Sequence, residues 1–265
     1  MEIMAAYYTD IGNEKLINED SLYIRVVNSA KGKIGFAVIC DGMGGLEQGE
    51  LASKEVVMLF KYWFASDFIQ MVTEDAVNER NLREKWTELV NGINKNLKGY
   101  SDEHDFIMGT TLSVLLVYRK KYYICHIGDS RIYWITRLIR RMTEDHTWVE
   151  QEVREGRMTT EQAKFDLRRN VLTQCVGVSK ELKPQFVSGK IKGDTTFLLC
   201  SDGLVHMVSE DEMYQCFRPD RIRHKGQVAS NCRELTRLAM NRGERDNITV
   251  MGLVCKNKKV CAGRV

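Results

Sequence analysis

Apolar residues along the chain fall into two kinds of pattern. Short, nearly continuous runs occur at Ser21–Val27, Ile34–Cys40, Leu112–Tyr118, Tyr122–Ile127, Arg131–Ile135, Thr196–Cys200 and Ile248–Val254. They are rich in β-branched and aromatic residues and are mostly bounded by Gly, Asp or basic residues, which predicts strands. The triplet Arg119-Lys120-Lys121 between two of them predicts a tight hairpin connection. Elsewhere the spacing changes to three and four. Ala52, Val56, Leu59, Phe60 and Trp63 form one such stripe, and Leu82, Trp86, Leu89, Val90, Ile93 and Leu97 form a second. Val228, Cys232, Leu235 and Ala239 form a third, on a helix near 226–241. These are the apolar faces of amphipathic helices. Thr159 with Gln162, and Ser209 with Glu212, have the spacing of capping boxes and mark two further helix starts. Strands in runs, with paired helices between them, predict an α+β fold with antiparallel sheets, and a layered sandwich is the natural way to bury both faces.

The second informative pattern is the placement of aspartates at the ends of these runs. Ile34–Cys40 is followed by Asp41-Gly42-Met43-Gly44-Gly45, which reads as a turn closing the strand. Thr196–Cys200 is followed by Ser201-Asp202-Gly203, and Tyr122–Ile127 by Gly128-Asp129-Ser130. Asn18-Glu19-Asp20 and Arg245-Asp246-Asn247 precede two other strands. Each segment alone is an ordinary turn signal. Together, Asp20, Asp41, Asp202 and Asp246 would repel one another and hold protons unless cations neutralised them. Four carboxylates match two divalent cations. Hard oxygen donors without a histidine favour Mg²⁺ or Mn²⁺ over Zn²⁺. The glycines after Asp41 allow close backbone approach, so the Gly42 carbonyl is a candidate ligand.

Composition narrows the alternatives. The 265 residues are 43% hydrophobic and 28% charged, a globular balance that excludes disorder and low-complexity classes. The net charge of +3 is too weak to indicate a nucleic-acid partner. It is largely a property of the segment 255–265, where Lys256, Lys258, Lys259 and Arg264 occur with no acid, so a basic tail follows a nearly neutral body. No run is long enough to span a bilayer, and the start of the chain lacks the basic and apolar regions of a signal peptide. A cytoplasmic protein with no membrane partner and eight reduced cysteines is expected. No C-x-x-C pair and no P-loop occurs.

The ordered set of segments resembles the metal-dependent serine/threonine protein phosphatases of type 2C, in their bacterial single-domain form. The segments that carry the resemblance are Asn18-Glu19-Asp20-Ser21, Asp41-Gly42-Met43-Gly44-Gly45, Gly109-Thr110-Thr111, Gly128-Asp129-Ser130-Arg131, Thr143-Glu144-Asp145-His146, Asn170-Val171-Leu172-Thr173, Ser201-Asp202-Gly203-Leu204 and Arg245-Asp246-Asn247-Ile248-Thr249. The resemblance implies a four-layer αββα sandwich of two antiparallel sheets flanked by helix pairs. It implies one catalytic domain over 1–254, with a flap at about 147–170 and the basic tail beyond. Asp41 is implied as the carboxylate bridging two cations, Mn²⁺ or Mg²⁺. Asp202 and Asp246 would complete the first cation's set. Asp20 and the Gly42 carbonyl would hold the second, with Glu19 able to share the role of Asp20. Asp129 with Asp202 would hold a weaker third. The implied reaction is hydrolysis of phosphoserine and phosphothreonine by a metal-bridging hydroxide, opposing a serine/threonine kinase. A monomer is the default.

Two positions depart from the family pattern. Lys15 stands where an arginine usually holds the substrate phosphate; it keeps the charge without the bidentate fork. Met43 stands where eukaryotic relatives have a histidine proposed as general acid, and reads as a packing residue. Arg168 and Arg169 in the flap are candidate phosphopeptide contacts. His126, His146 and His206 read as structural rather than as ligands. The alternative function is a catalytically silent phosphatase-fold binding or sensor module. The presence of all four metal-type aspartates argues against it.

Overall fold

The computed structural model describes residues 1–44 and 48–257. Gly45 of the glycine-rich segment, and Lys258, Lys259 and Arg264 of the basic tail, lie outside the described residues. In chain order the strands are β1 (Glu2–Asp10), β2 (Asp20–Ser29), β3 (Gly32–Gly44), β4 (Met108–Thr110), β5 (Leu112–Tyr118), β6 (Lys121–Ile127), β7 (Arg131–Ile135), β8 (Ile139–Arg141), β9 (Gln185–Lys190), β10 (Thr195–Cys200) and β11 (Ile248–Lys256). The helices are α1 (Gln48–Ala65), α2 (Asp67–Thr73), α3 (Glu79–His104), α4 (Trp148–Arg154), α5 (Thr160–Phe165), α6 (Asp202–Val205), α7 (Glu210–Phe217) and α8 (Lys225–Asn241). One sheet has the order β1-β11-β10-β7-β8. The other has β2-β3-β5-β6-β9, with β4 added at the end of β3. The pairings are antiparallel.

The apolar runs are continuous because these strands are covered on both faces. On β3, Phe36, Val38 and Cys40 point to the outer layer and meet Val56, Phe60 and Trp63 of α1 and Trp86 of α3. Ala37 and Ile39 point the other way, into the space between the sheets. On β10, Leu198 and Cys200 pack outward with Phe217 of α7 and Val228 of α8, while Phe197 and Leu199 pack inward. Three parallel apolar layers result, and with them the four-layer αββα arrangement. Each large buried side chain contributes about 1.5–3 kcal/mol. The hairpin between β5 and β6 turns on Arg119 and Lys120, both at positive φ. Both capping boxes form, at Thr159 with Gln162 and at Ser209 with Glu212.

Two expected boundaries move. The segment after Cys40 is not a turn: β3 continues through Asp41 to Gly44 by changing partner, from β5 to β4. Gly42 makes this possible, because a Cβ there would lie 2.2 Å from the Gly49 carbonyl oxygen and 2.7 Å from that of Glu19. At the other end, β11 runs to Lys256, because the Cys255 side chain is buried between the sheets and the Lys256 ammonium pairs with Asp194 at 3.1 Å. Among the described residues, no helix is long and apolar enough to cross a membrane.

Candidate metal centre

The sheet register brings the first two aspartates together. Asp20 opens β2 directly opposite Asp41 on β3. Like charges facing each other across strands are destabilising unless something neutralises them. Asp202 begins α6 just beyond β10, and Asp246 lies in the turn before β11. Since β10 and β11 are neighbours, these two also converge. Asp129 joins from the turn between β6 and β7.

The electrostatics report the crowding. Burial raises the Asp41 carboxyl well above the usual carboxylate range, and the charges of Asp20, Asp202, Asp129 and Asp246 raise it further. Burial pushes Asp20 up to about 7; hydrogen bonds from Thr249 and Ser201 offset part of this, and Asp202 and Asp246 add to it. Asp202 is raised by burial, against the opposing effect of His206. Asp129 is raised well above its usual range by burial and by Asp202 and Asp145. Asp20 Oδ1 and Asp202 Oδ1 are buried with no hydrogen-bond donor. Two orphaned carboxylate oxygens inside a cluster of acids fit a divalent cation and little else. Among the described residues, no three His, Cys, Asp or Glu side chains close into a ready-made cage. Mg²⁺-like ions do not require one, since they keep several waters and take only one or two carboxylates each.

A second layer of polar groups fixes the backbone beneath these aspartates. Ser201 Oγ donates to Asp20 Oδ2 at 2.8 Å and accepts from the Thr249 N–H at 2.9 Å. The carbonyl of Asp41 accepts from Thr110 Oγ1 at 2.8 Å and from the Thr111 N–H at 2.9 Å. Asn247 ties down the loop before β2. Its Nδ2 donates to the carbonyls of Ile11 and Ile17, and its Oδ1 accepts from the Glu19 N–H at 2.8 Å.

That loop carries Lys15 to the centre. Its Nζ lies 2.9 Å from Asp246 Oδ1 and 3.6 Å from Glu19 Oε2, with the side chain 39% exposed. Burial works against its charge, but Asp246, Glu19 and Asp41 outweigh it, so the ammonium is held above its usual range. Glu19 lies beside Gly49, where a Cβ would come within 2.3 Å of its Oε1. Gly42 donates its N–H to the Glu19 carbonyl at 3.1 Å. Met43 is half exposed and touches Cys175.

The segment 147–170, expected to act as a flap, contains α4 and α5. Its base is pinned where the Trp148 N–H donates to the Val171 carbonyl and the Thr173 N–H to the His146 carbonyl. Arg168 is engaged within that segment, pairing with Asp166 at 2.9 Å and lying over the Trp148 ring at 3.5 Å. Arg169 donates to the Lys164 carbonyl, and its charge reaches His206, beside Asp202. His126 is buried between Ser113 Oγ and the Glu144 carbonyl, and burial together with His146 lowers it to about 3. His146 accepts from the Gly128 N–H. His206 lies against Asp202 and Glu244. Glu244 was not singled out by sequence. The available signal is an acid two residues before Asp246, but Gly243-Glu244 reads there as an ordinary helix end.

The sequence pattern of the family described as protein phosphatase 2C matches residues 12–238. The chain belongs to that family. The protein phosphatase PhpP of Streptococcus pneumoniae is 31% identical to this phosphatase 2C over 254 residues, covering 95% of this chain and 96% of PhpP. The serine/threonine phosphatase stp of Listeria monocytogenes serotype 4b is 29% identical over 251 residues, 93% of this chain and 94% of its own. The solved S. agalactiae serine/threonine phosphatase superposes with a TM-score of 0.83 at 25% identity, covering 97% of this chain and all of that one. The catalytic domain of the serine threonine protein phosphatase PstP, solved in complex with two manganese ions, gives 0.76 at 28% identity over 96% of this chain and 99% of its own. Divalent-metal dependence is a property of this phosphatase 2C family, and the aspartates of this chain supply a site of matching chemistry.

Proposed function

We propose that this protein phosphatase 2C hydrolyses phosphoserine and phosphothreonine in proteins at the acidic centre around Asp41. Two divalent cations, Mn²⁺ or Mg²⁺, would activate the attacking water and neutralise charge on the phosphoryl oxygens when bound. Asp41 would bridge them. Asp202 and Asp246 would hold the first, and Asp20 with the Gly42 carbonyl the second. Asp129 with Asp202 would hold a weaker third. Lys15 orients Asp246 through their 2.9 Å contact and stands ready to receive a phosphate oxygen. Of the two flap arginines, Arg169 would be the substrate contact; this is supported by Arg168 being already committed to Asp166 and Trp148. A serine/threonine kinase supplying the phosphoproteins, a cytoplasmic setting, and one catalytic unit over 1–254 with the flap at 147–170 complete the reading.

The observation that carries it is the pair of buried carboxylate oxygens, on Asp20 and Asp202, that lack any donor. Groups so placed raise the free energy of the metal-free fold and are relieved by a cation. The test is turnover of a phosphothreonine peptide by Asp41→Asn and Asp202→Asn, with circular dichroism as the folding control. Both should lose activity with the fold intact; normal turnover in either refutes the site. A wild-type chain that binds Mn²⁺ but turns over no phosphopeptide would instead favour the silent module.

A further inference from the structure

His206 and Glu244 are not among the candidate ligands, yet together they connect two of the centre's carboxylates. Asp202 opens α6 and His206 follows its last turn, with the His206 N–H donating to the Asp202 carbonyl at 3.1 Å. The imidazole is thereby folded back over the aspartate. Its Nε2 lies 3.7 Å from Asp202 Oδ2, and its Nδ1 lies 3.5 Å from Glu244 Oε2. Glu244 Oε1 accepts from the N–H groups of Arg245 and Asp246 at 2.9 and 3.0 Å, which sets the turn carrying Asp246. Glu244 is only 5% exposed, and its Oε2 has no hydrogen-bond donor. Both ring distances exceed hydrogen-bond length, so these contacts are close packing of the ring between two carboxylates. A carboxylate this buried is costly unless it holds something in place. Here it holds the Asp246 turn with one oxygen and faces the ring with the other.

We propose that His206 and Glu244 are positioning residues, a carboxylate–imidazole strut that aims Asp202 and Asp246 at the same cation. The inference rests on the metal-centre reading above. Asp202 and Asp246 belong to different elements, the start of α6 and the turn before β11, and the strut makes their side-chain geometry interdependent. Outer partners of metal ligands act in this way elsewhere, and their loss costs 10–100-fold in metal affinity.

The experiment is calorimetric titration of Mn²⁺ into the full chain, as wild type and as His206→Ala, His206→Gln, Glu244→Gln and the double variant His206→Ala/Glu244→Gln. Glu244→Gln keeps an acceptor for the turn and so tests the strut even if His206→Ala folds poorly; metal-free melting curves report which variants fold. His206→Ala and Glu244→Gln should each weaken the tighter Mn²⁺ site by about 10–100-fold. The double variant should be no weaker than the worse single, because both act through one strut. His206→Gln, which keeps a donor near Asp202, should recover part of the affinity. Mn²⁺ affinity within about twofold of wild type in both singles, or two losses that multiply in the double, overturns the strut. Asp202→Asn separates the two claims. If it loses Mn²⁺ while the strut variants keep it, only the strut fails; if it also binds normally, the metal centre itself is wrong.

Discussion

Replacing Asp20 with asparagine should stabilise the metal-free protein at alkaline pH while removing tight metal binding. Asp20 is 9% exposed, faces Asp41 across the strand pair, and has one oxygen with no donor. Its carboxyl moves from 3.8 in a free chain to about 7 in the fold, chiefly through burial. An acid whose folded pKa lies above its unfolded value binds more protons folded than unfolded between the two values, so stability falls as pH rises through that window. Below about pH 4 the group is neutral in both states and imposes no penalty. Above about pH 7 it is charged in both, and the penalty is complete. About three pH units at 1.36 kcal/mol each sets a ceiling of about 4 kcal/mol on what Asp20→Asn recovers. Part of that is shared with Asp202 and Asp246, so about 2 kcal/mol is the expected gain, or roughly 4–8 °C in Tm for a chain of this size. The assay is thermal unfolding with excess chelator at pH 8 and pH 4.5, wild type against Asp20→Asn. The variant should melt higher at pH 8, with the difference shrinking at pH 4.5. With Mn²⁺ in place of chelator the order should reverse, because only the wild type gains binding free energy in the folded state. An equal difference at both pH values, or a variant less stable than wild type at pH 8 with chelator, refutes the reasoning.

Lys15→Ala should raise KM for a phosphopeptide more than it lowers kcat, since the ammonium lies beside Asp246 where a substrate phosphate would arrive; an unchanged KM would assign Lys15 to holding Asp246 alone. Gly42→Ala should destabilise the fold by about 1–3 kcal/mol and weaken Mn²⁺ binding, because its Cβ would press on the backbone oxygens of Gly49 and Glu19. Thermal melts and Mn²⁺ titration report both effects, and a wild-type Tm would contradict the packing account.

Much of the sandwich is legible in sequence because its central strands are buried on both faces. Ile34–Cys40 and Thr196–Cys200 are nearly continuous apolar runs, and each finds its outer helices and the opposing sheet. The edge strands are less legible. β1 places Ala5 and Ala6, weak strand formers, against β11. β9 carries Ser188 and Gly189 on a half-buried edge. The extension of β3 through Gly42 was hidden because glycine next to aspartate is a turn signal; only the crowding from Gly49 and Glu19 reveals why glycine stands in an extended strand. The aspartates themselves were legible because strand ends gather at one edge of a sandwich. The partner of Lys15 was not, because it depends on Asn247 folding the loop before β2 over the start of β11. Glu244 was hidden for a related reason: its importance lies in what it touches, and His206 is 38 residues away along the chain.

The central claim is that the clustered aspartates work by holding divalent cations. It is tested most directly by hydrolysis of a phosphothreonine peptide by the purified chain, first with excess chelator and then after Mn²⁺ is restored. Turnover should vanish with chelator and return with Mn²⁺. Turnover that persists at the same rate with chelator would contradict the account.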